Sequence, residues 1–478
     1  MGKRLKKGSV TVYLSLTMLL LMSLIAAALY SARQAACRAA LASGTEQGLY
    51  SLFAQYDRDL FERFGLLMID GGYGTAQLRL GTLLRETEED ISRVIVPSSG
   101  TADGRNILGM QIEGRAVEGY RLATDLGGAP FRRQICKLSL GKTGMEDIRR
   151  TDARLSGEKE TAGQLMEMRN SYSEADAPVL YPEEYPDDEA TYEVEVPEGF
   201  VNPLDQIDLL RGQALAALVL PEYTPVSGAA LSPSELVSGR SLNRGMGIPD
   251  TAAGETGDRF FLLSYLLDEF SCFTSERKGT GLQYQVEYAV GRQSSDEANM
   301  QYVLDKLMTI REAANMVYLM SSESRREEAA GMAALISAVM LRPDLQPTVS
   351  YLLMAAWAYG ESLEDLRVLT GGGRVPLQKD DGTWQLPLYA LPWAGTYRGY
   401  GTGSSEGLDY TEYLGILLMD RSEQDLTASL MDLVEYVMRE ERGREHFRLD
   451  LCIEAVRLSF EAAAGRNTYL IERQYAYE

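Results

Sequence analysis

His446 is the only histidine in the chain, in EERGREHFRLD beside Arg444 and Glu445. A Ser-His-Asp or Cys-His mechanism would have to use it, and its charged surroundings read as ordinary surface. Cys37, Cys136, Cys272 and Cys452 are far apart, with no CxxC spacing, so neither a zinc site nor a disulfide framework is signalled. The fragment Leu140-Gly141-Lys142-Thr143 has the end of a phosphate loop, but Cys136 stands where that motif needs its first glycine. The glycine-rich GYGTGSSEG, 399–407, has no lysine after it and reads as a connection. Carboxylate pairs such as Asp380 with Asp381 and Glu183 with Glu184 are common in so acidic a chain and carry no specific signal for glycoside hydrolysis. Trp357, Trp384 and Trp393 would suit a carbohydrate cleft, and core packing explains them more simply. No catalytic constellation, cofactor motif or metal-ligand pattern emerges, and a non-enzymatic protein is expected.

Place is stated more clearly than activity. Val10 to Tyr30, VTVYLSLTMLLLMSLIAAALY, carries no charge. As a helix it would span about 30 Å, the thickness of a bilayer's hydrocarbon core. Lys3, Arg4, Lys6 and Lys7 precede it, which by charge bias puts the N-terminus in the cytoplasm and the rest outside. Three readings compete for this region: an uncleaved signal anchor, a secretory signal cut near Ala26-Ala27-Ala28, and a prepilin-like leader ending at Gly8 and Ser9. The net charge of −22 makes nucleic acid an unsuitable partner. Membrane lipid is the partner the sequence names directly, and no small-molecule substrate is evident.

Behind the anchor the helix is expected to continue to about residue 70. Leu49, Leu52, Phe53, Tyr56, Leu60 and Phe64 recur at helical spacing, a stripe that packs either on another membrane protein or on the chain's own ectodomain. Gly44 and Gly48 predict a bend. Residues 71–168 read as a mixed region: 78–96 forms an amphipathic helix running into a strand, and 104–119 is turn-rich. Residues 169–257 read as an acidic, proline- and glycine-rich linker or insertion with no EF-hand spacing. The best-organised part is 258–478. There RFFLLSYLLDEFSCF reads as a buried helix, and Tyr284, Val286, Tyr288 and Val290 as one face of a strand. Met300 to Val317, Ala329 to Leu341 and Val349 to Tyr359 are helices of a bundle. A hairpin is expected to turn at Asp381-Gly382, a capping box at Asp409 and Glu412, and two strands near 449 and 471. The fold class is α+β: a transmembrane helix (10–30) after a basic leader (1–9), a membrane-proximal amphipathic helix (31–70), then an ectodomain with a helical bundle and short antiparallel strands.

The N-terminus resembles the leaders of type IV pilins and of TadE-like pseudopilins of Tad (Flp) pilus systems, with Tyr13 where those proteins carry a glutamate. Further blocks in order are KGSVTVYLSL, SLFAQYDRDLFERFGLLMID, LQYQVEYAVGRQSSDEANMQYVLDKLMTIREAANMVYL, WAYGESLEDLRVLTGGGRVPLQK, GLDYTEYLGILLM and FRLD. With these the chain resembles an uncharacterised bacterial family of single-anchor membrane proteins associated with Tad pilus and secretion genes. That resemblance implies a pseudopilin-like or accessory component at the cell surface, with pilus or secretion-system proteins as partners and no catalytic residues to carry over.

Overall fold

A computed structural model describes residues 8–95, 108–177, 200–221, 224–249, 258–275, 281–399 and 407–477. The basic leader with Lys3, Arg4, Lys6 and Lys7, most of the acidic segment including Glu183 and Glu184, and most of the glycine-rich connection lie outside the described residues. Contacts divide the chain into two units: Met1–Gln134 with Ser241–Gly254 and Arg442–Glu478, and Ile135–Arg240 with Glu255–Glu441. The expected core of 258–478 is thus split, because the C-terminal strands join the N-terminal helix.

The first unit is built on α1 (Gly8–Phe53), a single helix of 46 residues. At 1.5 Å per residue it is about 69 Å long. After it come α2 (Arg58–Phe64), β1 (Ile69–Asp70), α3 (Leu80–Ile95) and β2 (Met110–Leu122), and the C-terminus returns β3 (Cys452–Ala464) and β4 (Asn467–Ala476). β3 is the centre of an antiparallel sheet, paired along one edge with β2 and along the other with β4 and the short β1. Val456, Leu458, Phe460, Ala462 and Ala464 alternate along β3 and meet Leu41, Leu49, Leu52 and Phe53 of α1 in one core. α3 supplies Leu83, Thr87, Ile91 and Ile95, buried at four-residue intervals.

Gly44 and Gly48, where a bend is expected, lie inside one continuous helix. These glycines let α3 approach: a Cβ on Gly48 would lie 2.7 Å from Ile91 Cγ1 and 3.3 Å from the Thr87 carbonyl oxygen. The amphipathic continuation also breaks earlier than residue 70. α1 stops at Phe53, and Asp57 starts α2 by accepting from the Leu60 N–H (3.1 Å). Arg444 then ties Asp57 to Asp70 (2.7 Å to Asp70), and Asp70 also accepts from Gly72 and Gly74 N–H groups.

The second unit is helical. It contains α4 (Asp125–Thr143, which begins in the first unit and is kinked at Leu126 to Gly128), α5 (Met145–Ser171), α6 (Pro203–Arg211), α7 (Leu215–Val219) and α8 (Asp258–Glu269). α9 (Gln285–Gly291), α10 (Asp296–Ser321), α11 (Glu323–Val339), α12 (Gln346–Thr370), α13 (Tyr410–Leu418) and α14 (Glu423–Glu440) follow. α10 packs on α12, α5 and α9, and α12 on α11. Asp409 and Glu412 form the expected capping box of α13.

Three local expectations are corrected. The expected strand Tyr284 to Val290 is instead the cap and body of helix α9 (Gln285–Gly291); Gln285 and Glu287, which made the sequence alternate, are buried because they hydrogen-bond inside the fold. Around Asp381-Gly382 there is a turn, closed by Asp380 Oδ1 accepting from Gly382 N (3.0 Å) and Thr383 N (2.9 Å), but no strands flank it. The turn-rich stretch up to Gly119 is largely β2, whose partner lies more than 300 residues away in sequence.

Gly48→Ala is expected to destabilise the first unit by about 1–3 kcal/mol through overpacking against Ile91, outweighing alanine's roughly 1 kcal/mol helix preference. Gly81→Ala, in α3 with open space around it, should not destabilise. Thermal unfolding of the detergent-solubilised chain, wild type against each variant, measures both.

Candidate functional site

Residues nominated by sequence do not converge on one site. Leu49, Leu52, Phe53, Leu60 and Phe64 are each 5% exposed or less, and Tyr56 is half-buried with its ring 5.2 Å from Phe61. Phe53 packs against Tyr475 and Tyr477 (centroids 4.8 and 4.7 Å), and Tyr477 Oη donates to the Phe53 carbonyl (2.7 Å). The stripe read as a possible partner face therefore lies inside the protein's own first unit. Gly8 opens α1. His446 and Glu445 are exposed, and Arg444 is committed to Asp57 and Asp70. Cys37, Cys272 and Cys452 are buried thiols and Cys136 is partly buried. Trp357 and Trp384 meet edge to face (5.4 Å) and both donate to the Leu386 carbonyl, while Trp393 is exposed, so the three line no common cleft. Among the described residues no three His, Cys, Asp or Glu side chains gather as a metal site.

Two polar clusters missed by the sequence reading occupy the helical core. In the first, Arg311 of α10 donates through Nε to Asp365 Oδ2 of α12 (3.0 Å), and through Nη1 to Tyr413 Oη (3.0 Å) and the Pro376 carbonyl (2.9 Å). Lys379 Nζ sits 2.5 Å from Glu361 Oε1 and 2.6 Å from Asp365 Oδ1. Glu361 Oε2 accepts from Leu386 N (2.6 Å), and Asn315 Nδ2 donates to Asp365 Oδ2 (2.9 Å). Two cations thus face two carboxylates. Burial works against ionised Asp365, but Arg311 and Lys379 outweigh it and hold the carboxyl below the usual range; burial pushes Glu361 up. Charges so fully paired leave no group to attack a substrate. The cluster instead pins 376–386, a stretch without regular strands, onto two helices, and removing one partner from such a group costs about 3–5 kcal/mol. A signal was available: Leu307, Arg311 and Asn315 are four apart, as are Glu361 and Asp365, placing polar groups on buried helix faces.

In the second cluster Glu287 of α9, fully buried, accepts at Oε1 from Phe273 N (2.8 Å) and Tyr410 Oη (3.0 Å), while Oε2 has no hydrogen-bond partner among the described residues. Burial pushes its carboxyl up to about 7, against the lowering effect of those hydrogen bonds. Cys272 Sγ is 3.7 Å from Thr411 Oγ1, and burial, with Glu287 nearby, raises its thiol. A buried thiol with a raised pKa is a poor nucleophile.

Glu287 binds more protons in the folded chain than in the unfolded one between its ordinary pKa of 4.5 and about 7. Its contribution is therefore full below about pH 4.5 and falls as pH rises to 7, by up to about 3 kcal/mol. Glu287→Gln keeps both acceptor contacts and cannot ionise. Its unfolding midpoint relative to wild type should rise between pH 5 and pH 8; a pH-independent difference would show that Glu287 does not titrate there.

No curated protein and no solved structure matches the chain. Residues 193–464, more than half of its length, match a family model and take in α6 to α14 together with β3. The chain accordingly belongs to the family described as "Family of unknown function (DUF5702)".

Proposed function

We propose that the chain is a non-enzymatic, single-pass membrane protein with its N-terminus in the cytoplasm and both units outside. The observation that carries this reading is the two-part surface of α1. Val10, Leu14, Leu19, Leu29 and Tyr30 are each more than half exposed, although this stretch is the most apolar in the chain, while Cys37 to Phe53 packs into protein. Exposed leucines in an unbroken run have a suitable solvent in lipid and a poor one in water. Orientation follows from Lys3, Arg4, Lys6 and Lys7. A role as an accessory of a Tad-type pilus or secretion assembly rests on the pilin-like leader and the sequence resemblance. In that role lateral contacts fall to residues 10–30, since Leu49 to Phe64 is occupied within the first unit. That occupation is also the observation favouring a second reading, a free-standing envelope protein.

Alkaline extraction of native membranes should leave the chain in the pellet, and protease added to sealed right-side-out vesicles should digest it down to a fragment containing the apolar span. Release by alkali would overturn the anchor, and protection of the C-terminus would overturn the orientation. Cross-linking from residues 10–30 in the native membrane separates the two roles: pilin-like or secretion-system adducts support the accessory role, and their absence supports the free-standing one.

A further inference from the structure

The tip of the β3–β4 hairpin lies against α1 where the apolar span ends. Tyr30 Oη donates to Asn467 Oδ1 (3.2 Å) and is itself 3.1 Å from Asn467 Nδ2. The hairpin turns tightly through Gly465 and Arg466, with Gly465 at φ 71°, a left-handed value that glycine adopts without a Cβ clash. Arg33 Nη2 donates to the Leu108 carbonyl (2.9 Å) just before β2. Between helix and hairpin opens a cleft of about 620 Å³, lined on one side by Gln34 and Arg38 and on the other by Arg466, Asn467, Thr468 and Leu470. The whole cleft belongs to the first unit.

Its charge is opposite to that of the protein. Residues 31–45 contain Arg33 and Arg38 and no acid, and 462–471 contain Arg466 and no acid, in a chain of net charge −22. All three arginines are exposed. Of the acids further off, Glu46 faces Arg473 (3.6 Å), and Glu461 is exposed on β3 opposite Leu470. Height along the helix fits as well. Arg33 lies about 5 Å and Arg38 about 12 Å beyond Tyr30. Helical side chains lean toward the N-terminus, here back toward the bilayer, and a headgroup layer adds about 5–8 Å to each side of the hydrocarbon. Guanidinium groups at that level meet phosphates, with which they form forked, charge-assisted hydrogen bonds.

We propose that this cleft binds the headgroup of an anionic phospholipid, with Arg38 and Arg466 holding the phosphate from two sides and exposed Leu470 lying beside the lipid. The inference rests on the membrane-anchor reading above. Lipid is chosen over free phosphate because the cleft adjoins the end of the apolar span, where headgroups are concentrated.

The test is native mass spectrometry of the full chain in mild detergent, with phosphatidylglycerol, with phosphatidylcholine of the same acyl chains, or with inorganic phosphate. Phosphatidylglycerol adducts should exceed phosphatidylcholine adducts about tenfold, inorganic phosphate should give none, and the R38Q/R466Q variant should lose the preference. R342Q, which removes an exposed arginine from the other unit, should keep it. Equal binding of the two lipids, an unchanged double variant, or phosphate bound as well as lipid would each overturn the proposal. Far-UV circular dichroism confirms that the double variant is folded. Alkaline extraction of the wild type keeps the two claims apart: retention in the membrane without a lipid preference removes the cleft alone, whereas release removes the anchor beneath it.

Discussion

Close packing of α1 against α3 and the β3-centred sheet is the contact on which the first unit depends. It requires glycine at position 48, because Ile91 occupies the space a side chain would take. It also involves one continuous α1, so the helix that exposes apolar side chains at Val10 to Tyr30 is covalently the helix that forms the floor of a protein core from Cys37 to Phe53. Through the Tyr30–Asn467 hydrogen bond the hairpin tip sits beside the end of the apolar span. Burial of Leu49, Leu52 and Phe53, at about 1.5–3 kcal/mol for each large apolar side chain, secures the junction.

The second unit solves a different problem. Its long helices α10 and α12 are buried almost all round, and an irregular stretch, 376–386, has to lie on them without strand partners for its backbone. Arg311, Lys379 and Glu361 supply those partners, taking the carbonyls of Pro376, Leu377 and Thr383 and the N–H groups of Gln385 and Leu386. Buried ion groups of this sort add little net stability over apolar packing, but they select one arrangement, since any other leaves charges unpaired. Glu287 and Asp365 show how environment divides similar carboxyls: Asp365 faces two cations and is held below the usual carboxylate range, whereas burial, with Asp296 adding to it, pushes Glu287 up to about 7.

Features set by local chemistry were readable in the sequence. The apolar span, the helical stripe from Met300 to Val317, the capping box at Asp409 and Glu412, and the terminal strands all follow from neighbours within a few residues. What was not readable depended on distant ones. β2 pairs with β3 across more than 300 residues, and its alternation is blurred by register shifts at Ile112/Gly114, Val117/Gly119 and Arg121/Leu122. α9 imitates a strand because its polar positions are buried and bonded, so the usual link between polarity and exposure fails there. Gly44 and Gly48 look like helix breakers until α3 is placed on them. The stripe from Leu49 to Phe64 is apolar as read, but part of its cover is distant in sequence: Tyr475 and Tyr477 pack on Phe53. No candidate site was legible: the polar clusters lie on faces whose four-residue spacing marks them as buried, but their pairing crosses from α10 to α12 and α13.

The most direct measurement is a spin-label scan of residues 12–50 in the full chain reconstituted into bilayers, with the native cysteines replaced, reading accessibility to oxygen and to a water-soluble nickel reagent. One helix with a lipid-facing part and a protein-facing part predicts uniformly high oxygen access and no nickel access from 12 to about 28. Beyond about 35 it predicts a 3.6-residue rhythm with protection at Cys37, Leu41, Thr45, Leu49 and Leu52. A helical rhythm of protection within 12–28, or nickel access throughout it, would contradict the membrane-spanning helix.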